Sequence, residues 1–205
     1  FLRARRNNNK WTILNYYTNS CVTGEVSKTE TIEDLKNKVI ENKWNKDTCY
    51  IILPRHEVTS RIVTLPSQNM EEIKNIVKLS AEEYVPYSAE EILTTQTILE
   101  NLPNAESRVL IAISHKDIVN TNISAVERLG LSPTGVIVST SGFLSIPTLL
   151  KKHSLIKGDV YCILHFTLQG LEIVIFKGDK ILFSRGAKIS WDKFLQGSSE
   201  FGDEP

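Results

Sequence analysis

The run from Leu53 to Ser88 restricts the fold more than any other part of the chain. Two extended segments sit between prolines, and an acidic-fronted helix with a sharp stop follows them. Pro54 and Pro66 fit strand ends, where a missing N–H costs little. Arg61-Ile62-Val63-Thr64-Leu65 is short and β-branched and reads as a buried strand. Asn69 is an N-cap for a helix reaching Tyr84. Glu72 is placed to complete a capping box, and Glu71 suits the positive helix end. Ile73, Ile76, Val77, Ser80 and Tyr84 recur at helical spacing, which predicts a face that packs on a sheet. Pro86 forbids continuation and pushes Val85 toward an extended conformation.

The 205 residues are enough for one large domain or two small ones with a sizeable core. A hydrophobic fraction of 41% and a charged fraction of 23% fit a soluble globular chain. The formal net charge of +0 removes any bulk attraction to nucleic acid or anionic membrane. Arg3, Arg5, Arg6 and Lys10, set among Asn7-Asn8-Asn9, read as a disordered basic tail over residues 1–10. Cys21, Cys49 and Cys162 lie in strand-like runs without a CxxC, as expected of reduced, partly buried thiols in a cytosolic protein. No apolar run reaches the roughly 18–20 residues of a membrane span, and no part of the sequence reads as a signal peptide. The opening Phe1 and the linker-like Gly197 to Pro205 read as an excerpt, with a further domain or membrane segment expected beyond.

Along the chain, Trp11 to Tyr17 and Cys21 to Val26 predict a hairpin about Thr18-Asn19-Ser20. Thr31 to Asn42 predicts a helix capped by Thr31. Thr48 to Leu53 is apolar on both faces and reads as a central strand. Ile92 to Leu99 and Arg108 to Ser114 are strands about the turn Leu102-Pro103-Asn104. Lys116 to Leu129 is a helix stopped by Gly130. A strand from Thr134 to Val138 and a helix over Thr140 to His153, broken or started near Pro147, come next. Residues 58–138 thus run strand, helix, strand, strand, helix, strand, the βαββαβ order of a ferredoxin-like unit. Asp159 to His165, Gly170 to Phe176 and Lys180 to Arg185 form a meander with a tight turn at Lys177-Gly178-Asp179-Lys180, and Trp191 to Leu195 begins a helix.

The unit built from a strand ending in Leu65-Pro66, a Glu-rich helix, Tyr84-Val85-Pro86-Tyr87 and the acidic step Glu90-Glu91 resembles one found in actin-like cytoplasmic proteins of bacterial surface-fibre machines. These are the PilM proteins of type IV pilus assembly and the GspL cytoplasmic domains of type II secretion. The resemblance covers most of residues 11–195 and rests on the order of the pieces. It implies an α/β (α+β) chain with an actin-like ATPase fold, partial or reduced, carrying an inserted ferredoxin-like βαββαβ subdomain. The implied divisions are the tail 1–10, a first actin-like subdomain over 11–57, the insert over 58–138, the start of a second actin-like domain over 139–196, and a tail over 197–205.

An actin-like ATPase grips nucleotide between two hairpin loops, each with an Asp for metal-bound water and a Gly for close approach to phosphate. Here Asn15 and Tyr17 stand at those positions in the first hairpin, and His165 and Thr167 in the second. Asn lacks the charge that favours Mg²⁺, and Tyr17 brings a ring to the phosphate's place. No cofactor is therefore expected. His56, His115, His153 and His165 are not paired at metal-ligand spacing, so no metal site is expected, and His165 reads as a structural histidine. Ser139, Thr140 and Ser141 precede a Gly without forming a nucleophile elbow. The pairs Glu71-Glu72, Glu82-Glu83 and Glu90-Glu91 read as solvated helix faces, with an acidic docking surface as the alternative.

The expectation is thus a non-catalytic scaffold, cytoplasmic and peripheral at the inner membrane. The PilM type implies a groove for a short segment of a bitopic membrane partner; the GspL type implies the assembly ATPase as partner, and a homodimer is also open. Loss of both phosphate loops and the linker-like end tilt the expectation toward the GspL type. Edge strands of the insert offer a site for strand addition. Arg55, His56, Arg61, Ile92, Thr94 and Gln96 are the candidate contacts. The competing readings are a degenerate nucleotide-binding ATPase and a ferredoxin-like RNA-binding module; neutral charge and the absence of stacking aromatics oppose the second.

Overall fold

The computed structural model describes residues 2–8, 10–16, 28–153, 158–167 and 170–189, with side chains left aside at 28–31. The chain divides into two units: residues 1–50 with 121–135, and residues 51–120 with 136–205.

The first unit opens on strands β1 (Leu2–Asn7) and β2 (Lys10–Tyr16), paired antiparallel about Asn8, whose φ of 45° suits an Asn in a tight turn. Residues 2–7 are therefore a strand and not a disordered tail. Two of its charges have partners: Arg3 grips Asp47 through Nε at 2.6 Å and Nη2 at 3.2 Å, and Arg6 lies over the Trp11 ring at 5.9 Å. Composition alone missed this because Arg3 reads as solvated when its anchor, Asp47, lies far along the chain. Helix α1 (Lys28–Glu41) starts before Thr31, so Thr31 is within the helix and is not its cap. Tyr17, the Thr18-Asn19-Ser20 turn and Cys21 to Val26 lie outside the described residues, as does Trp191 to Leu195. The core of this unit gathers Val39, Trp44, Leu129 and Leu131, with Ile32, Leu35, Cys49 and Val126 against them. Strand β3 (Cys49–Leu53) leaves Tyr50 and Ile52 exposed, so it is not the doubly buried strand its apolar run suggested.

The second unit is built on β4 (Thr59–Leu65), α2 (Met70–Ser80), β5 (Ile92–Asn101) and β6 (Ser107–His115). Asn69 caps α2 as its position predicts: Oδ1 accepts from the N–H of Glu71 at 2.9 Å and of Glu72 at 3.3 Å. Glu72 does not close a capping box. Its carboxylate accepts from Ser67 Oγ at 2.6 Å, and that oxygen accepts from the Asn69 N–H at 3.0 Å. Ile73 and Val77 are fully buried against Leu65, Val109 and Ile111, joined by Ile76 and Tyr84. A 3₁₀ turn over Ala81–Tyr84 ends the helix, and Val85 is extended as Pro86 requires.

Helix α3 (Lys116–Glu127) and strand β7 (Pro133–Val138) complete the βαββαβ order, but not a ferredoxin-like sheet. The sheet is three-stranded, in the order β4-β6-β5, all antiparallel; β7 pairs with β3. Gly130 at φ 79° stops the chain after α3 as expected. The strand after that stop is equally β-branched whichever sheet receives it, so local pattern cannot choose its partner.

Helices α4 (Ser139–Phe143) and α5 (Ile146–Lys152), the latter with Pro147 in its first turn, lead to the meander β8 (Val160–Thr167), β9 (Gly170–Lys177) and β10 (Lys180–Lys188). Gly178 at φ 63° makes the β9–β10 turn. One sheet face packs Val174, Phe176 and Ile181 on Phe143, Leu144 and Ile146 and on Ile62 and Leu99. The sheet β4-β6-β5 is therefore covered on both faces. The other face of β8 exposes Val160, Cys162, Leu164 and Phe166.

Candidate functional site

A small cleft in the second unit gathers Pro54, Arg55 and His56 from the 3₁₀ turn before β4, Ser139 from the start of α4, and His165, Thr167, Gly170, Leu171 and Glu172 from the β8–β9 hairpin. Two sets of residues that the sequence kept apart meet here: the contact candidates Arg55 and His56, and the second phosphate-loop positions His165 and Thr167.

Glu172 is the hidden charge of the site. It interrupts the apolar alternation of β9 on the core-facing side and is 3% exposed. Ser139 Oγ donates to its carboxylate at 2.6 Å, and Thr140 Oγ1 donates to its other oxygen. Two hydroxyls at a helix start replace the water a buried carboxylate loses. Arg55 is equally enclosed. Its Nε donates to Ser184 Oγ at 3.2 Å; Nη1 donates to the Val58 carbonyl; Nη2 donates to the carbonyls of Ser60 at 3.1 Å and Ser184 at 3.3 Å. Burial pushes the guanidinium pKa down and the Glu172 charge pushes it back up, and the group stays cationic. Gly186 exists for this arginine. A Cβ there would stand 2.7 Å from Arg55 Cγ and 2.8 Å from the His56 nitrogen. Gly170 is similarly pressed between the Ala187 carbonyl and His56 Nδ1.

His165 pairs in register with Glu172 across β8–β9 and meets Phe143 edge-on at 5.4 Å. It is exposed, where the sequence suggested a buried structural histidine, because β8 is the outer strand of its sheet. The cleft holds about 20 Å³, close to the room one water needs and far below the roughly 300 Å³ of a small-molecule pocket. Chemically it is a closed polar knot: the Ser139 hydroxyl is spent on Glu172, and the arginine is spent on carbonyls. Among the described residues no group of three His, Cys, Asp or Glu side chains is placed to hold a metal ion.

The other candidates lie elsewhere. Asn15 is in the first unit, where its Nδ2 donates to Asn42 Oδ1 at 2.9 Å. Tyr17 is outside the described residues. Arg61 lies over the Tyr84 ring at 5.5 Å on β4. Ile92, Thr94 and Gln96 lie on β5; the Ile92 side chain is core and contacts nothing outside, whereas Thr94 and Gln96 are half-buried. Glu172 and Gly186 were missed, and Ser139 was weighed only as a nucleophile. The available signal was a lone Glu inside the run Leu171 to Phe176 and a Gly inside a strand.

A family model described as type IV pilus assembly protein PilM matches residues 9–194. No curated protein sequence matches. Among solved structures, the PilM-PilN type IV pilus biogenesis complex is similar at 18% identity and a TM-score of 0.68, over 99% of this chain and 62% of that chain. The chain therefore spans less than two thirds of that relative. The cytoplasmic domain of EpsL, an inner membrane component of the type II secretion system of Vibrio cholerae, is similar at 10% identity and a TM-score of 0.52, over 99% of this chain and 77% of that one. The fold is the mixed α/β, actin-like class that the resemblance implied. Among the described residues no helix is long and apolar enough to cross a membrane.

Proposed function

Because the chain belongs to the type IV pilus assembly protein PilM family, we propose that it works as a non-catalytic scaffold at the cytoplasmic face of a pilus or secretion platform, holding a segment of a bitopic inner-membrane partner. The observation that carries this reading is likeness in fold over 99% of the chain to a structure of the PilM-PilN complex. The family match and the higher TM-score favour the PilM type of partner over the GspL type, with its assembly ATPase.

The local chemistry supports binding in place of turnover. Asn15 is engaged with Asn42, and the β8–β9 hairpin closes on a one-water cleft whose hydroxyl and guanidinium are already hydrogen-bonded. The competing reading is a degenerate ATPase. Thermal melting with and without Mg·ATP separates the two, since any ligand of the native state raises the midpoint. An unchanged midpoint together with co-purification of the membrane partner's cytoplasmic segment supports the scaffold. A saturable rise with ATP and release of phosphate would overturn it.

A further inference from the structure

We propose that β5 is a self-association strand: two copies of this chain pair their β5 edges antiparallel about a two-fold axis through Gln96, joining two β4-β6-β5 sheets into one. The inference does not depend on the function proposed above.

The two edges of the sheet are treated differently. At the start of β4, Arg55 donates to the carbonyl of Val58, just before the strand, and to the outward carbonyl of Ser60, so that end of the edge is covered from within the chain. On β5 no hydrogen bond from outside the sheet reaches residues 93–99 through their backbone, among the described residues. The register says which groups are open. The Ser60 carbonyl turns out to Arg55, so its partner Ala112 turns its own groups toward β5, where it meets Thr95. Alternation then turns the N–H and C=O of Thr94, Gln96 and Ile98 outward.

Up to the bulge after Ile98, this edge lacks the charges and prolines that usually protect one. Ile92 to Leu99 contains no charge and no proline, in a strand of ten residues. Its sequence also reads nearly the same from both sides of Gln96: Thr95 mirrors Thr97, Thr94 mirrors Ile98, and Leu93 mirrors Leu99. Antiparallel pairing about that centre sets Thr on Thr, a favourable cross-strand pair, with Thr on Ile and Leu on Leu, and opposes no like charges. Gln96 meets itself as a hydrogen-bonded pair. Pairing from Thr94 to Ile98 gives about six interchain backbone bonds. Limits and cover fit as well. A bulge between Ile98 and Glu100 ends the regular edge, and Glu100 is held by Lys180. Met70, 45% exposed, lies over the edge with Sδ 3.9 Å from Gln96 Nε2, so the axis brings the Met70 of each copy together over the junction. Such a contact is isologous and closes at two.

The test is sedimentation equilibrium from micromolar to near-millimolar concentration with the intact chain and with Gln96→Lys and Gln96→Glu. The unchanged chain should form a dimer. Each variant opposes like charges at the axis and should weaken dimerisation more than about tenfold, with melting unchanged at concentrations where both are monomeric. An equimolar mixture of the two variants should restore the dimer. Amide exchange needs no substitution: the amides of Thr94, Gln96 and Ile98 should gain protection as concentration rises. A monomer at all concentrations, variants that associate like the unchanged chain, or a mixture that stays monomeric would each overturn the proposal; a monomer would leave β5 to a foreign strand.

Discussion

Replacing Arg55 by Met tests the cleft most sharply. The side chain keeps its bulk and loses every donor. The carbonyls of Val58, Ser60 and Ser184 and the Ser184 hydroxyl then lack the group that satisfies them. Charge-assisted bonds contribute about 1.5–3 kcal/mol each, but the desolvation cost of a guanidinium that is only 8% exposed disappears with it. The residual loss expected on removing one member of a buried charged network is about 3–5 kcal/mol. Part of that loss comes from Glu172, whose buried carboxylate the arginine offsets. Glu172→Gln removes that charge, so Arg55→Met should cost less in the Glu172→Gln background, by about 0.5–3 kcal/mol. Urea unfolding of the two single variants, the double variant and the parent gives the cycle, provided m is unchanged. An Arg55→Met loss below about 0.5 kcal/mol, within the range of an ordinary surface substitution, would refute the reasoning, as would strictly additive losses.

Three further outcomes follow from local geometry. Asn69→Ala should cost about 1 kcal/mol in the same assay, by orphaning the N–H groups of Glu71 and Glu72. Glu91 has its pKa lowered by the Ser88 backbone N–H, then by the Ser88 hydroxyl, with His115 adding to these. A depressed folded value means its contribution is present above the ordinary carboxylate range and is lost as pH falls through that lower value. Protection of the Ser88 amide should therefore fade in acid, and the Ser88→Ala variant should keep only the backbone part of the effect. Burial pushes the Cys49 thiol up, while Cys162 is exposed. A thiol reagent at neutral pH should label Cys162 well before Cys49, as read by peptide mass mapping.

Local signals carried the elements that local chemistry decides. Asn69 before a 3.6-residue apolar stripe, Pro86 after it, Gly130 at a helix stop and Gly178 in a two-residue turn each dictate backbone conformation within a few residues, and each stands where expected. What failed was set by distant partners. The order from β4 to β7 is that of a ferredoxin-like unit, yet β7 pairs with β3, because strand propensity does not encode a neighbour. Arg3 looked like a solvated charge because Asp47 is far along the chain. The cleft was half legible: Arg55, His56, His165 and Thr167 were singled out for unrelated reasons, and Glu172, which lines the cleft with them, looked like an unremarkable strand residue. Burial of a lone charge is a tertiary fact that appears only when its hydroxyl partners, Ser139 and Thr140, fold onto it.

The central claim, that this chain binds a membrane partner and turns over nothing, is tested most directly by calorimetric titration with a synthetic peptide of the cytoplasmic segment of the platform's bitopic inner-membrane protein. The account predicts saturable binding at one site per chain, unaffected by Mg·ATP. Absence of binding by the intact chain, alongside saturable heat on titration with Mg·ATP alone, would contradict it.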